Sequence, residues 1–126
     1  MPSTAFDCLR ILPIDAGGGS GGNRVRGNEL SRNGDSGILL FGASDDNDVS
    51  RNTANDNGGF GFLVYGEPGF PVPAGNRFKS NTVFGSGVLD LVEADFGQPD
   101  FVPLACSNDW KKNSFGSAAG RDGCIE

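Results

Sequence analysis

The sequence predicts an all-β solenoid, a chain of short strands wound repeatedly into stacked coils. Three observations carry that expectation. An asparagine beat returns four times along the chain, at spacings of 24, 29 and 32 residues. Apolar residues stand two positions after the beat asparagines, where alternate side chains of a strand share one face. Gly and Asn, both poor helix formers, supply 21 and 11 of the 126 residues and interrupt almost every window that would otherwise be amphipathic at helical period.

The repeat reads N-x-hydrophobic-x-x-N-x-hydrophobic and starts at Asn23, Asn47, Asn76 and Asn108. A period in the twenties that lengthens by insertion marks stacked repeats. Leu9 and Ile11 are expected to supply a strand for a rung before the first full copy. Each copy then opens with a strand centred on Val25, Val49, Phe78 or Trp110. A corner follows at Asn28, Asn52, Asn81 or Asn113. A second short strand carries Leu30, Ala54, Val83 or Phe115. The third strand is Ile38 to Leu40 in the first copy and Phe62 to Val64 in the second. Residues 87–91 take that part in the third copy, at a slipped register, and Ile125 takes it in the last.

Coils of this kind stack about 4.8 Å apart, with apolar side chains pointing inward. Asn suits the corners because it tolerates left-handed backbone and its amide bonds neighbouring peptide groups. Stacked in register, such side chains bond one another as a ladder. The rows Asn28, Asn52, Asn81 and Asn113 are therefore read as structural, not as ligands for sugar hydroxyls. Leu, Ile, Val and Phe total 31 residues, above the roughly 20% floor below which a core becomes hard to build.

One domain is expected over 1–126. Residues 1–22 form a partial N-terminal coil with a Gly-rich insertion. Coils follow at 23–46, 47–75 and 76–107, and 108–126 closes the stack. The segments Ala16–Gly22, Phe41–Asp46, Tyr65–Gly75 and Ala94–Ser107 all follow a third strand and precede a restarting Asn. One edge therefore collects every long loop. An open solenoid end exposes unpaired strand edges, and 22 residues are thin for a cap. The chain thus reads as the C-terminal part of a longer solenoid, or as one that associates through that end.

The run N-x-V-x-x-N-x-L-x-x-N-x-x-x-G-I-x-L, from Asn23 to Leu40, resembles the repeat of right-handed parallel β-helix proteins. These form the pectate-lyase-like superfamily, and the likeness is particularly to its NosD-like, carbohydrate-binding and sugar-hydrolysis repeats. The resemblance spans residues 23–118 well. It implies a short right-handed parallel β-helix of about four to five coils, three short strands in each, with Asn ladders at the corners. The segment from Cys106 through Trp110 to Cys124 is similar to the closing coil of secreted members. From that likeness follow a Cys106–Cys124 disulfide flanking the last coil and an extracellular or cell-surface location. Three Cys leave one over, so Cys8 is expected to stay free or pair outside the chain. The N-terminus shows neither a basic region nor a long apolar run, so no signal peptide is read in it.

The absences narrow the chemistry. No His is present, which removes imidazole bases and ligands. No metal site is predicted. The net charge of −6 argues against a nucleic-acid partner, and no apolar run approaches the roughly 18 residues a membrane helix needs. The loop edge gathers Asp45, Asp46, Glu67, Asp90, Glu93, Asp95 and Asp100 among Tyr65, Phe70, Phe96 and Phe101. Acids bond hydroxyls or hold Ca²⁺, and rings stack on sugar faces. The ligand-binding candidates are Asp45, Asp46, Tyr65, Glu67, Phe70, Glu93, Asp95, Phe96 and Phe101, toward a polysaccharide or glycan. No cofactor is required, though Ca²⁺ fits the acids. No catalytic residue is assigned. Asp45 and Asp46 resemble the adjacent aspartates of β-helix polysaccharide hydrolases, but the Gly-His-Gly of those enzymes is missing. Outward Arg26, Lys79 and Lys111, beside a second row of Gly27, Arg51, Ser80 and Lys112, form a basic stripe. It is read as solubilising charge, with an acidic polymer as the competing idea. The leading reading is a non-catalytic repeat domain, carbohydrate-binding or structural. The alternative is a polysaccharide lyase, hydrolase or epimerase, or a fragment of one.

Overall fold

The structure, a computed structural model, describes residues 9–11, 21–42, 44–103, 106–121 and 123–126. The expectations for Cys8 and for most of the Gly-rich insertion lie outside the described residues.

Eleven short strands are described, and no helix. They run β1 (Leu9–Ile11), β2 (Arg24–Arg26), β3 (Ile38–Phe41), β4 (Asp48–Ser50), β5 (Phe62–Gly66) and β6 (Arg77–Lys79). After these come β7 (Thr82–Val83), β8 (Leu91–Asp95), β9 (Asp109–Lys111), β10 (Ser114–Phe115) and β11 (Ala118–Ala119). Every strand pairs in parallel with its counterpart one coil away. The first sheet is ordered β2-β4-β6-β9 and the third β1-β3-β5-β8-β11. The middle face is thinner. It consists of β7 with β10, extended by single bridges from Thr53 to Glu29 and to Thr82.

Register explains the core. Val25, Val49, Phe78 and Trp110 are successive partners. Each is buried, while its strand neighbours face outward. Phe78 and Trp110 stack with ring centroids 4.0 Å apart. From the third sheet, Ile38, Leu40, Phe62, Val64 and Leu91 complete the same core, with Ala54 and Val83 from the middle face.

Most corners share one design, in which a residue with positive φ is followed by an Asn whose side chain bonds a neighbouring coil; Asn108, which follows Ser107, lacks the positive φ. Gly27, Arg51, Ser80 and Lys112 take the positive φ before Asn28, Asn52, Asn81 and Asn113. Gly22, Asp46 and Gly75 do so before Asn23, Asn47 and Asn76, and Arg32 and Asp56 before Asn33 and Asn57. No described Asn has positive φ, so the left-handed tolerance ascribed to Asn is corrected. The preceding residue bends the chain, and Asn is there for its amide.

Two strand assignments are also corrected. The third strand of the third copy is β8, not 87–91, and its register is unslipped: Phe62 pairs with Leu91 and Val64 with Glu93. In the last copy β11 takes the third-strand place, with Ala118 opposite Leu91. Ile125 packs against the core from outside that strand. Gly61 is fixed by close approach rather than by φ. A Cβ there would run into the Val83 side chain and the Asp90 carbonyl of the next coil.

Candidate functional site

The Asn ladders leave little amide free. Asn28 donates its N–H and Nδ2 to Asn52 Oδ1, at 2.9 and 3.2 Å. Asn52 does the same to Asn81, and Asn81 to Asn113. Asn52 and Asn81 also donate Nδ2 back to the carbonyls of Val25 and Val49. Asn23, Asn47, Asn76 and Asn108 form a second ladder. Asn33 and Asn57 form a third, shorter one.

The expected acidic edge divides in the structure. Glu93 is not on it. At the inward position of β8 it is 1% exposed, which corrects its reading as an exposed ligand-binding acid. Glu93 Oε1 accepts from Asn108 Nδ2 and Trp110 Nε1, both at 2.9 Å. Oε2 accepts from the Ser107 N–H at 3.3 Å. A strand rule fills that position with an apolar residue, so the pattern alone hid the strand. The available signal was Trp110, whose ring N–H needs an acceptor once the ring is in the core.

Asp90 is likewise internal, at 3% exposed, and not part of the loop edge. Its Oδ1 accepts from Ser86 N and its Oδ2 from Gly116 N and Ser117 N. Burial acts to raise its pKa, but the hydrogen bonds from Ser86, Gly116 and Ser117 outweigh that and hold it below the ordinary carboxylate value.

The remaining acids stay at the edge, and several serve their own loops. Asp45 Oδ1 accepts from Ala74 N at 2.8 Å, which ties two successive loops. Asp95 Oδ1 accepts from Gly97 N, and Asp100 Oδ1 from Val102 N. Glu67 pairs through its backbone with Phe70. Asp46 is an exposed corner residue.

The aromatic residues do come together. Phe41 and Tyr65 are register partners with ring centroids 4.8 Å apart. Phe70 lies 5.4 Å from Phe41, and Phe96 lies 5.4 Å from Tyr65. Phe96 meets Phe101 edge-on at 5.3 Å. The result is a continuous file of five rings across successive coils. Phe101 adopts φ 62°, a left-handed conformation that is an outlier for a bulky side chain and tends to persist at functional loops. Beside this file the outer face of the third sheet forms a second apolar cluster of Leu63, Val92 and Ala94 under Leu39, Phe60, Tyr65 and Leu89. A groove of about 300 Å³ runs along it, with Val88, Phe96, Phe101 and Val102 on its walls and Asp100 as a polar rim. Phe41 was missed because the strand was ended at Leu40 whereas β3 includes it, and the groove because a strand apolar on both faces reads as one buried run.

No group of three or more His, Cys, Asp or Glu that would hold a metal is found among the described residues. Cys106 and Cys124 are disulfide-bonded, with Cα atoms 5.4 Å apart.

Among known proteins, the model of a family described as right handed beta helix region matches residues 16–101. Neither the curated proteins nor the solved structures include a significant match.

Proposed function

The chain belongs to the right-handed β-helix family, and from that premise we propose that it is a non-catalytic repeat domain that binds carbohydrate along its aromatic edge. One observation carries the reading: the five-ring file, with Phe70, Phe96 and Phe101 each more than 40% exposed. Sugar rings present C–H faces that stack on aromatic side chains, while nearby acids accept from the hydroxyls. Asp95 and Asp100 flank the exposed rings on the same loop. The rigid coils hold the loops that carry them, the usual placement of binding residues. Such contacts are weak individually, so the expected dissociation constant is nearer millimolar than nanomolar, about −4 to −6 kcal/mol.

An extracellular or cell-surface setting goes with this proposal. Its support is the Cys106–Cys124 disulfide, a bond that persists in oxidising compartments. A polysaccharide-modifying enzyme is the weaker reading. Paired-carboxylate hydrolysis needs two acids facing one groove, and Glu93 and Asp90 are both occupied inside the coil stack.

A glycan array, followed by titration of the best hit, tests the proposal. Phe96→Ala/Phe101→Ala is expected to abolish binding with little change in melting temperature. Unaltered binding in that double variant would remove the aromatic edge as the site. Release of reducing or unsaturated ends from acidic polysaccharides by the wild-type protein would establish the enzyme reading instead.

A further inference from the structure

The outer face of the first sheet carries two adjacent rows of side chains, and their charges are arranged differently. Across the register, the first row is Arg24, Asp48, Arg77 and Asp109. Its signs alternate, so each cation has a carboxylate one coil away. The second row is Arg26, Ser50, Lys79 and Lys111. It contains no carboxylate. Lys111 is satisfied by Glu126 at 2.6 Å, but Arg26 and Lys79 face each other across Ser50 with no anion in the row.

A shallow depression of about 180 Å³ lies at this gap. It is lined by Arg26, Arg51, Arg77 and Lys79, by the Ser50 and Ser80 hydroxyls, and by the single carboxylate of Asp48. Four cations against one acid is a local excess opposite in sign to the whole chain, which carries −6. Coils about 4.8 Å apart put Arg26 and Lys79 about 10 Å from one another. One oxyanion centred over Ser50 would lie within hydrogen-bonding reach of both long side chains.

We propose that this depression is an oxyanion site, and that its ligand is a sulfate or phosphate group, free or as a monoester. The guanidinium groups of Arg26, Arg51 and Arg77 offer forked donors matched to two oxygens of such a group. Lys79 adds a point charge, and the two serine hydroxyls donate to the remaining oxygens. The site lies on the charged sheet, apart from the aromatic edge, and stands whether or not that edge binds sugar.

The test is a titration of isotope-labelled protein with sodium sulfate, read by amide chemical shifts at constant ionic strength. Sodium phosphate and glucose 6-sulfate are the comparison arms, and chloride and glucose the blanks. Saturable shifts confined to residues 25–27, 48–51 and 77–80 are expected. Ser50→Asp supplies the row with its missing carboxylate, so it should remove binding without unfolding the protein. Arg26→Ala and Lys79→Ala should each weaken binding about tenfold, the effect of losing one charge-assisted contact. Lys112→Ala, outside the depression, should leave it unchanged. A tighter fit for glucose 6-sulfate than for sulfate assigns the site to an ester, and the reverse order assigns it to the free ion. Linear shifts spread along all basic residues, or full binding by Ser50→Asp, would overturn the proposal. Phe96→Ala/Phe101→Ala should titrate with sulfate as the wild type does, which keeps this result separate from that of the carbohydrate reading.

Discussion

The first and third sheets line the same core yet present opposite exteriors. Outside β2-β4-β6-β9 stand Arg24, Arg26, Asp48, Arg77, Lys79, Asp109 and Lys111. Outside β3-β5-β8 stand Leu39, Phe41, Leu63, Tyr65, Val92 and Ala94. The charges that bear on stability are nevertheless on the apolar side. Exposed ions in the first sheet are screened by water and contribute on the order of 0–1 kcal/mol per pair. Glu93 in the third sheet and Asp90 just before β8 are concealed, and both hold the last coil: Glu93 through Trp110 and Asn108, Asp90 through Gly116 and Ser117. In the structure this coil pairs with a neighbour on one side only, and bonds of this kind add to its packing.

Glu93→Ala is the strongest way to test that contrast. It strips the acceptor from a buried indole N–H and leaves a cavity beside it. The expected loss is about 4 kcal/mol, an unmet buried donor added to lost packing. Glu93→Gln keeps an acceptor and should recover most of it. Arg77→Ala/Lys79→Ala on the opposite sheet should change stability by less than about 1 kcal/mol. Urea unfolding of the three proteins decides it, and equal losses from the two sheets would end the distinction drawn between them.

The disulfide acts on the same terminal coil. It closes a loop with a sequence separation of 18, worth about 3 kcal/mol in the chain-entropy account. Reduction, or Cys106→Ala/Cys124→Ala, should therefore lower stability by about that amount. Hydrogen exchange should locate the loosening in residues 108–121 and spare 47–64. Uniform loss of protection would mean that the bond serves the whole stack and not its end.

The corners are common to both sheets and should be indifferent to which exterior they join. Asn52→Ala removes a buried side chain that donates to Asn81 and Val25 and accepts from Asn28. The expected cost is about 1–3 kcal/mol. Exposed Glu29→Ala should cost almost nothing. Asn28→Ala, at an exposed ladder end, should fall between them. Thermal melts that failed to separate Asn52→Ala from Glu29→Ala would show that the amide ladder adds nothing to the corner.

The first sheet was legible in the sequence because its alternation is complete. Val25, Val49, Phe78 and Trp110 lie in alignment with polar or charged neighbours on either side, and that register is the observed one. The Asn rows were legible for the same reason, since their spacing is fixed by the strand before them. The third sheet was legible only where its inward residues are apolar. In β8 the inward position holds Glu93, a residue that a period-2 pattern assigns to the surface, and the apolar run at 87–91 drew the alignment four residues early. What licenses the acid is Trp110, 17 residues on, and no local pattern contains that partner. The aromatic edge was half legible. Tyr65, Phe70, Phe96 and Phe101 were singled out as loop residues, whereas Phe41 was given to the segment after Leu40 and left out, although β3 runs on to include it.

The smallest expected effect tests which sheet responds to acid. Asp90 is held below the ordinary carboxylate pKa because its hydrogen bonds favour the charged form. A group whose folded pKa is depressed adds stability above its unfolded pKa of about 3.9. That contribution is lost as pH falls through the lower, folded value. Stability should accordingly decline on acidification below about pH 4, and part of the decline should belong to Asp90. Asp90→Asn removes the charged acceptor, so it should be less stable than the wild type at neutral pH. The gap between the two proteins should then narrow as the wild-type carboxylate takes up its proton. The comparison requires denaturant unfolding of the two proteins across the acid range. A constant gap between wild type and Asp90→Asn at every pH would mean that Asp90 holds the last coil by shape alone, and that its charge is no more consequential than those on the opposite sheet.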